Sequence, residues 1–317
     1  MIFKLFFWLF LIGLCKVSAA ACNGNDALCS RKYSNITQIG AHDSAFVGDL
    51  PTDNQNLNVT GQLDAGIRFL TAQTHSFLDE IYLCHTSCWE EDSGVLVNYL
   101  TDIRTWMDSN PNEVVTLLLT NGDAIAVSKF ADAYDNAGIS KYTYTPPNQL
   151  TLGDWPTLQD LISANTRLIT FMGSLFVSHY NSNTSSVSYI LDEFSYFWET
   201  PSLICSKETI LTYKSQPTDD VTTSDFPDCS IDRPPGSNGA GLMYIINHFL
   251  DIDLLSTGIL VPDKDSAPAT NAATGNGSIG AQADLCTQQH GASPNAILLD
   301  FVDIGELLIS SDRSLAH

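Results

Sequence analysis

Basic residues are scarce in this 317-residue chain: 14 Lys+Arg stand against 36 Asp+Glu, a formal net charge of −22 at pH 7. A chain this acidic repels phosphate backbones instead of releasing counterions from them, which argues against nucleic acid as a partner. It also lacks an electrostatic route onto anionic lipid. Long apolar runs are missing beyond the N-terminus, so a multispan membrane protein is excluded. No Gly-x-Gly-x-x-Gly or Walker loop follows an apolar run, so a nucleotide fold has no support. Internal repeats and Pro- or Ser-rich linkers are absent, and the C-terminal Ser-Leu-Ala-His lacks the hydrophobic tail of a lipid-anchor signal. What remains is a globular composition, 44% hydrophobic and 16% charged, with chain enough for a sizeable core.

Residues 1–21 read as a secretory signal. Lys4 precedes the apolar run Leu5–Cys15, and the small residues Val17-Ser18-Ala19-Ala20-Ala21 follow it. The run is short for a spanning helix; an uncleaved anchor is the competing reading. Four sequons, at Asn35, Asn58, Asn183 and Asn276, suit a secreted glycoprotein. The expected location is extracellular, with retention in the cell wall left open. Residues 22–317 are then a single domain.

Seven cysteines follow Cys15. In an oxidising compartment they pair. Proximity in sequence suggests Cys22 with Cys29 and Cys205 with Cys229. Cys84 with Cys88 is a further candidate, and Cys286 competes for either. A zinc reading of Cys84-His85-Cys88 is disfavoured because no second CxxC or HxxxH completes a tetrahedral set.

Short apolar runs alternate with amphipathic ones. Strands are predicted at Ile36–Ala41, Ile67–Ala72, Ile81–Cys84, Val114–Leu119, Leu168–Met172, Met243–Ile246 and Ala296–Phe301. Continuous apolar runs of this kind suit strands buried on both faces of a parallel sheet. Helices are predicted at Val95–Asp108, which stops at Asn110-Pro111, at Val127–Ala137, which stops at Gly138, and at Leu158–Ala164. The alternation predicts an α/β fold, a distorted TIM-type β/α barrel. Ser174–Ser188 and Pro262–Gly280 read as surface excursions, the second with a composition that suits disorder.

In such a barrel, active residues follow the C-terminal ends of strands. His42-Asp43-Ser44, His85-Thr86-Ser87 and Asn247-His248 each follow an apolar run, and Asp300 lies within one. Histidines and aspartates gathered there make an acid–base set. A lone His at a strand end is ordinarily a loop residue, and Asp43 equally suits a turn or cap. Asp300 needs a partner if buried. Trp198, in the cluster Phe194-Ser195-Tyr196-Phe197-Trp198, is a candidate platform for a lipid or sugar, although such clusters are more often core. Trp89, beside Glu90, Glu91 and Asp92, is placed at the mouth.

Gln38-Ile39-Gly40-Ala41-His42-Asp43-Ser44 resembles the Gly-x-His-Asp-Ser signature of the phosphatidylinositol-specific phospholipase C X-domain superfamily. Gly66-Ile67-Arg68-Phe69-Leu70 is similar to its second strand, and Leu83-Cys84-His85 to the segment with its second histidine. Leu299-Asp300-Phe301 is similar to its final strand. The Leu83–Cys88 and Asn110-Pro111-Asn112-Glu113-Val114-Val115 runs resemble secreted fungal proteins described as PLC-like phosphodiesterases. The resemblance implies a phosphodiesterase with His42 as general base and His85 as general acid. Asp300 would hold the tautomer of His42, and Asp43 would support the leaving-group side. The substrate it implies is a phospholipid or glycerophosphodiester, met by a monomer with at most peripheral membrane contact.

The matched positions also depart from that pattern. Where bacterial relatives carry an Asp and a phosphate-binding Arg, this chain has Thr71 and Gln73, and neither a calcium nor a magnesium cage is supported there. No cofactor is expected. Gln73, His75 and His248 are the expected substrate contacts. The competing readings are a catalytically silent barrel that binds a surface partner and, more distantly, a metal-dependent lyase related to sphingomyelinase D.

Overall fold

The computed structural model describes residues 21–85, 87–89, 91–173, 184–201, 228–253 and 260–305. The predicted signal and the Asn183 sequon's asparagine lie outside the described residues. Twelve strands are described: β1 (Gln38–Ala41), β2 (Phe69–Phe77), β3 (Glu80–Cys84), β4 (Asp92–Val95), β5 (Val115–Asn121), β6 (Leu168–Gly173), β7 (Ile190–Asp192), β8 (Phe197–Glu199), β9 (Met243–Asn247), β10 (Asp251–Asp253), β11 (Leu260–Pro262) and β12 (Ala296–Leu299). The helices are α1 (Val59–Asp64), α2 (Leu96–Ser109), α3 (Val127–Ala137), α4 (Leu158–Ser163), α5 (Ala267–Thr270) and α6 (Ile279–His290).

Eight strands form one curled parallel sheet in the order β7-β6-β5-β2-β1-β12-β9-β8. Taken in chain order, this is the winding of a β/α barrel. No ladder joins β7 to β8 among the described residues, so the barrel is open there. The β2–β3 hairpin and β4 extend beyond the barrel wall.

Side chains alternate across each wall strand. Leu70, Ala72, Leu117, Leu119, Tyr244, Ile246, Ile297 and Leu299 point outward and join one apolar cluster with side chains of the surrounding helices, Leu100, Ile103 and Met107 of α2 among them. Phe69, Leu118, Phe171, Phe197, Ile245 and Leu298 pack with one another in a second cluster inside the barrel. Burying one such side chain stabilises the fold by about 1.5–3 kcal/mol. Gly40 has no room for a side chain, since a Cβ there would lie 2.6 Å from Leu298 and 3.0 Å from the Phe69 carbonyl. α2 ends at Asn110-Pro111, and α3 ends on Gly138 in the left-handed region at φ 69°.

The segment predicted as a Pro262–Gly280 excursion is ordered and packs against the barrel. Ser278 caps α6, accepting from the Ala281 amide at 3.2 Å. Buried Asn271 donates to the Asp300 and Phe301 carbonyls at 2.8 and 3.2 Å. Composition suggested a loop because these polar residues are used as caps and backbone partners. Disulfides join Cys22 to Cys29, Cys84 to Cys88 and Cys229 to Cys286. The last corrects the expected Cys205–Cys229 pair: α6 brings Cys286, distant in sequence, to Cys229, while Cys205 lies outside the described residues. Asn35, Asn58 and Asn276 are exposed. No described helix is long and apolar enough to cross a membrane.

Candidate active site

The barrel interior changes from apolar to polar toward the C-terminal ends of its strands. There, His42, Asp43, Thr71, Gln73, Thr120, Glu199, Arg233 and Asn247 share one cavity with Glu193 and Phe194. His42 and Asp43 follow β1 directly. Asp43 is held in the left-handed region at φ 43°, a strained backbone that Asp tolerates better than most residues.

His42 is buried and held on several sides. Its Nδ1 lies 3.0 Å from Asp300 Oδ1, and Asn54 donates to that same oxygen at 3.0 Å. The Phe249 ring stacks on the imidazole, with centroids 3.7 Å apart. His42 Nε2 has no hydrogen-bond partner, although it lies 3.6 Å from Asp43 Oδ2. Burial pulls the His42 pKa down, but the charges of Asp43 and Asp300, the Asp300 hydrogen bond and the charge of Asp251 outweigh it and raise it to about 9. Burial raises Asp300 above the usual carboxylate range despite the His42 charge and its hydrogen bonds.

His85 arrives from a different direction. β3 runs back toward the barrel antiparallel to β2, and the Cys84–Cys88 disulfide spans the turn that carries His85. His85 Nε2 lies 3.5 Å from Asp43 Oδ2. The same carboxylate oxygen accepts from Gln73 Nε2 at 2.7 Å, and the Asp43 amide donates to Thr71 Oγ1 at 2.9 Å. Thr71 and Gln73 therefore position Asp43.

Two expected substrate contacts fall outside the cavity for one reason, strand parity. Trp198 neighbours inward-facing Glu199 and so points outward, stacking on Tyr244 at 4.6 Å. His248 neighbours inward-facing Asn247, and its ring bonds Gln282 and the Thr270 carbonyl. His75 sits on the hairpin extension, where Nδ1 meets Asp123 at 3.2 Å. Arg68 points away from the cavity, as its parity predicts, onto Glu113 and the Trp106 ring.

The far side of the cavity holds residues that sequence reasoning missed. Arg233 pairs with Glu199, which also accepts from Asn247 Nδ2 at 3.2 Å. Burial and the charge of Glu199 drive Glu193 well above the usual carboxylate range, so it shares its proton with Glu199. Burial opposes ionisation of Glu199, yet Arg233, Glu193 and Asn247 hold it below its ordinary pKa. Parity would have found Glu199 and Asn247. Nothing local marks Arg233. Among the described residues, no group of three or more His, Cys, Asp or Glu side chains is arranged to hold a metal.

The fold is thus a parallel eight-stranded barrel that gathers, at one end, a His–Asp pair after its first strand, a second His facing the same carboxylate and an Asp after its last strand. The family model for the PI-PLC X domain matches residues 28–314, and the chain belongs to that family. A PI-PLC X domain-containing protein 1 of Arthroderma benhamiae is 44% identical over 96% of this chain and 94% of its own length. An uncharacterized secreted protein of the same organism is 41% identical over 90% of this chain and 61% of its own. The phosphatidylinositol-specific phospholipase C of Listeria monocytogenes shares the fold at a TM-score of 0.50 and 16% identity, over 90% of this chain and 96% of that one.

Proposed function

We propose that the chain is a secreted phosphodiesterase that cleaves a phospholipid or head-group phosphodiester by two-histidine acid–base catalysis, without a metal. The observation that carries the reading is that His42 and His85 approach one oxygen of Asp43 from two sides, at 3.6 and 3.5 Å. His42 Nε2 faces the cavity without a partner. Neutral His42 takes the proton of the attacking hydroxyl as its oxygen bonds to phosphorus. The bond from phosphorus to the leaving alcohol breaks, and His85, supported by Asp43, supplies the proton. Each group contributes on the order of 10²–10⁴-fold. Asp300 keeps the proton on Nδ1, which leaves Nε2 as the base. Arg233 is the cavity's guanidinium and takes the phosphate charge that a strand-borne Arg carries in relatives.

The family, the secreted relative and the three disulfides support the extracellular reading. The test is phosphorus NMR of the purified protein with phosphatidylinositol, phosphatidylcholine, lysophosphatidylcholine and glycerophosphodiesters. The expected result is a cyclic or monoester product that persists in EDTA and disappears in His42→Ala and His85→Ala. Turnover that EDTA abolishes, or that survives both substitutions, contradicts the mechanism. No turnover on any member of the panel favours the silent barrel.

A further inference from the structure

Phe249 is the second residue after β9 and keeps the inward parity of Asn247. It is buried in the cluster that holds Ile245 and Leu298. His248, between Asn247 and Phe249, anchors the segment. Its amide donates to the Leu298 carbonyl at 2.9 Å, and its ring bonds Gln282 of α6 and the Thr270 carbonyl of α5. On the other side, the Leu250 carbonyl accepts from the Asp263 amide at 2.8 Å. Phe249 is thus held through both of its neighbours.

Its ring meets His42 in a geometry that two neutral aromatics avoid. The planes are parallel within 5° and the centroids lie 3.7 Å apart, so the rings overlap almost fully. A sandwich of this kind sets two negative π faces against each other; neutral rings favour offset or edge-on pairs with centroids about 4.5–7 Å apart. The same overlap is attractive once one ring is a cation, whose charge then lies over the partner's face. His85 supplies the contrast. Its contact with Phe46 is edge-on, at 66° and 5.2 Å, as suits a neutral ring. The histidine that must gain a proton and the one that must lose it therefore meet their phenylalanines in opposite arrangements.

We propose that Phe249 is a positioning residue for the reaction: its ring sets the plane of the His42 imidazole and stabilises the imidazolium that forms as the attacking hydroxyl gives up its proton. His248 is the anchor that presents this ring. The assignment rests on the phosphodiesterase reading of the site. The charges that bear on His42 come from Asp43 after β1, Asp300 after β12 and Asp251 of β10, with Glu199 and its partner Arg233 across the cavity. Substitution at Phe249 removes none of them, so its effect on His42 reads the stacked ring.

The test is an NMR titration of His42 in the substrate-free protein, beside the pH profile for a monomeric short-chain diester. In the parent, the His42 ring protons should lie upfield, because the Phe249 ring current shields atoms stacked over its face. Phe249→Leu keeps an apolar side chain and removes the π face. It should lower the His42 pKa by roughly half a unit to one unit and move the rising limb of kcat/KM down in pH by the same amount. Phe249→Tyr, which keeps the π face, should restore both. Circular dichroism checks that the variants fold. Unshifted ring protons in the parent, an unchanged or raised titration in Phe249→Leu, or a change that Phe249→Tyr shares would overturn the proposal. The expected titrations in a protein that turns over no diester would instead strike the phosphodiesterase reading and leave the stabilising contact on His42 intact.

Discussion

One oxygen of Asp43, Oδ2, lies 3.6 Å from His42 Nε2 and 3.5 Å from His85 Nε2, while Gln73 donates to it at 2.7 Å. A single carboxylate thus couples two histidines carried by separate strands. Its position is fixed by Thr71, by Gln73 and by a strained backbone at φ 43°.

Replacing Asp43 with Asn removes the charge and keeps an acceptor for Gln73. Of the charges that raise the His42 pKa to about 9, that of Asp43 acts most strongly. The Asp43→Asn variant should therefore bring the His42 pKa down and lose about 10²-fold in kcat. An NMR titration of His42 beside steady-state kinetics checks both. An unchanged His42 titration would mean that the pair is not electrostatically coupled.

The pH dependence follows from the same shift. His42 remains protonated up to about pH 9 in the free protein, so its base form grows as pH rises toward that value. The rising limb of kcat/KM should therefore extend through neutral pH toward 9, and the need for a protonated His85 as general acid makes the whole profile a bell. Stability should move the other way. The folded pKa of about 9 lies above the ordinary 6.5, so the protonated form of His42 supports the fold fully below 6.5 and loses that support as pH rises through 9. The effect is on the order of 3 kcal/mol. Asp251 is raised by burial and by the charge of Asp300 from 3.8 to about 7, so its protonated form likewise supports the fold below 3.8 and loses that support as pH rises through 7. Thermal melts from pH 5 to pH 10 should fall with pH, and His42→Ala should flatten the upper part.

The Cys84–Cys88 disulfide closes a loop with a separation of only four residues. A loop this short contributes about 2 kcal/mol by restricting the unfolded chain. Its larger effect is expected on His85, which it brackets. Cys84→Ser with Cys88→Ser should lower kcat tenfold or more with KM little changed and a Tm drop of a few degrees. Loss of KM alone would assign the loop to binding.

Arg233 reaches the cavity from the segment between β8 and β9 and pairs there with Glu199. Removing one preorganised donor to a developing anion costs about 10²–10³-fold. Arg233→Ala should show that loss in kcat, and Arg233→Lys should recover part of it as a point charge without the planar fork. Equal, small effects of both substitutions would make the pair structural.

The barrel was largely legible because strands buried on both faces read as continuous apolar runs; β5, β6, β9 and β12 fall within two residues of their predicted bounds. The three-residue strands β7 and β8 are too short to carry a period. The site was legible where a residue follows a strand directly, as His42 does. It was misjudged by one position at Trp198 and His248, because an aromatic or a histidine attracts attention while parity aims its neighbour, Glu199 or Asn247, into the barrel. Arg233 and the Cys229–Cys286 pair were not legible. Both depend on segments distant in sequence that meet only in the folded chain.

The central claim is that His85 protonates the leaving alcohol while His42 activates the attacking one. Leaving-group dependence tests it most directly, with His42→Ala and His85→Ala assayed on an alkyl phosphodiester and on its nitrophenyl counterpart. A nitrophenolate leaves without a proton. The account predicts that His85→Ala loses about 10²–10⁴-fold on the alkyl ester and little on the nitrophenyl ester, while His42→Ala loses heavily on both. Equal losses for His85→Ala on the two esters would contradict it.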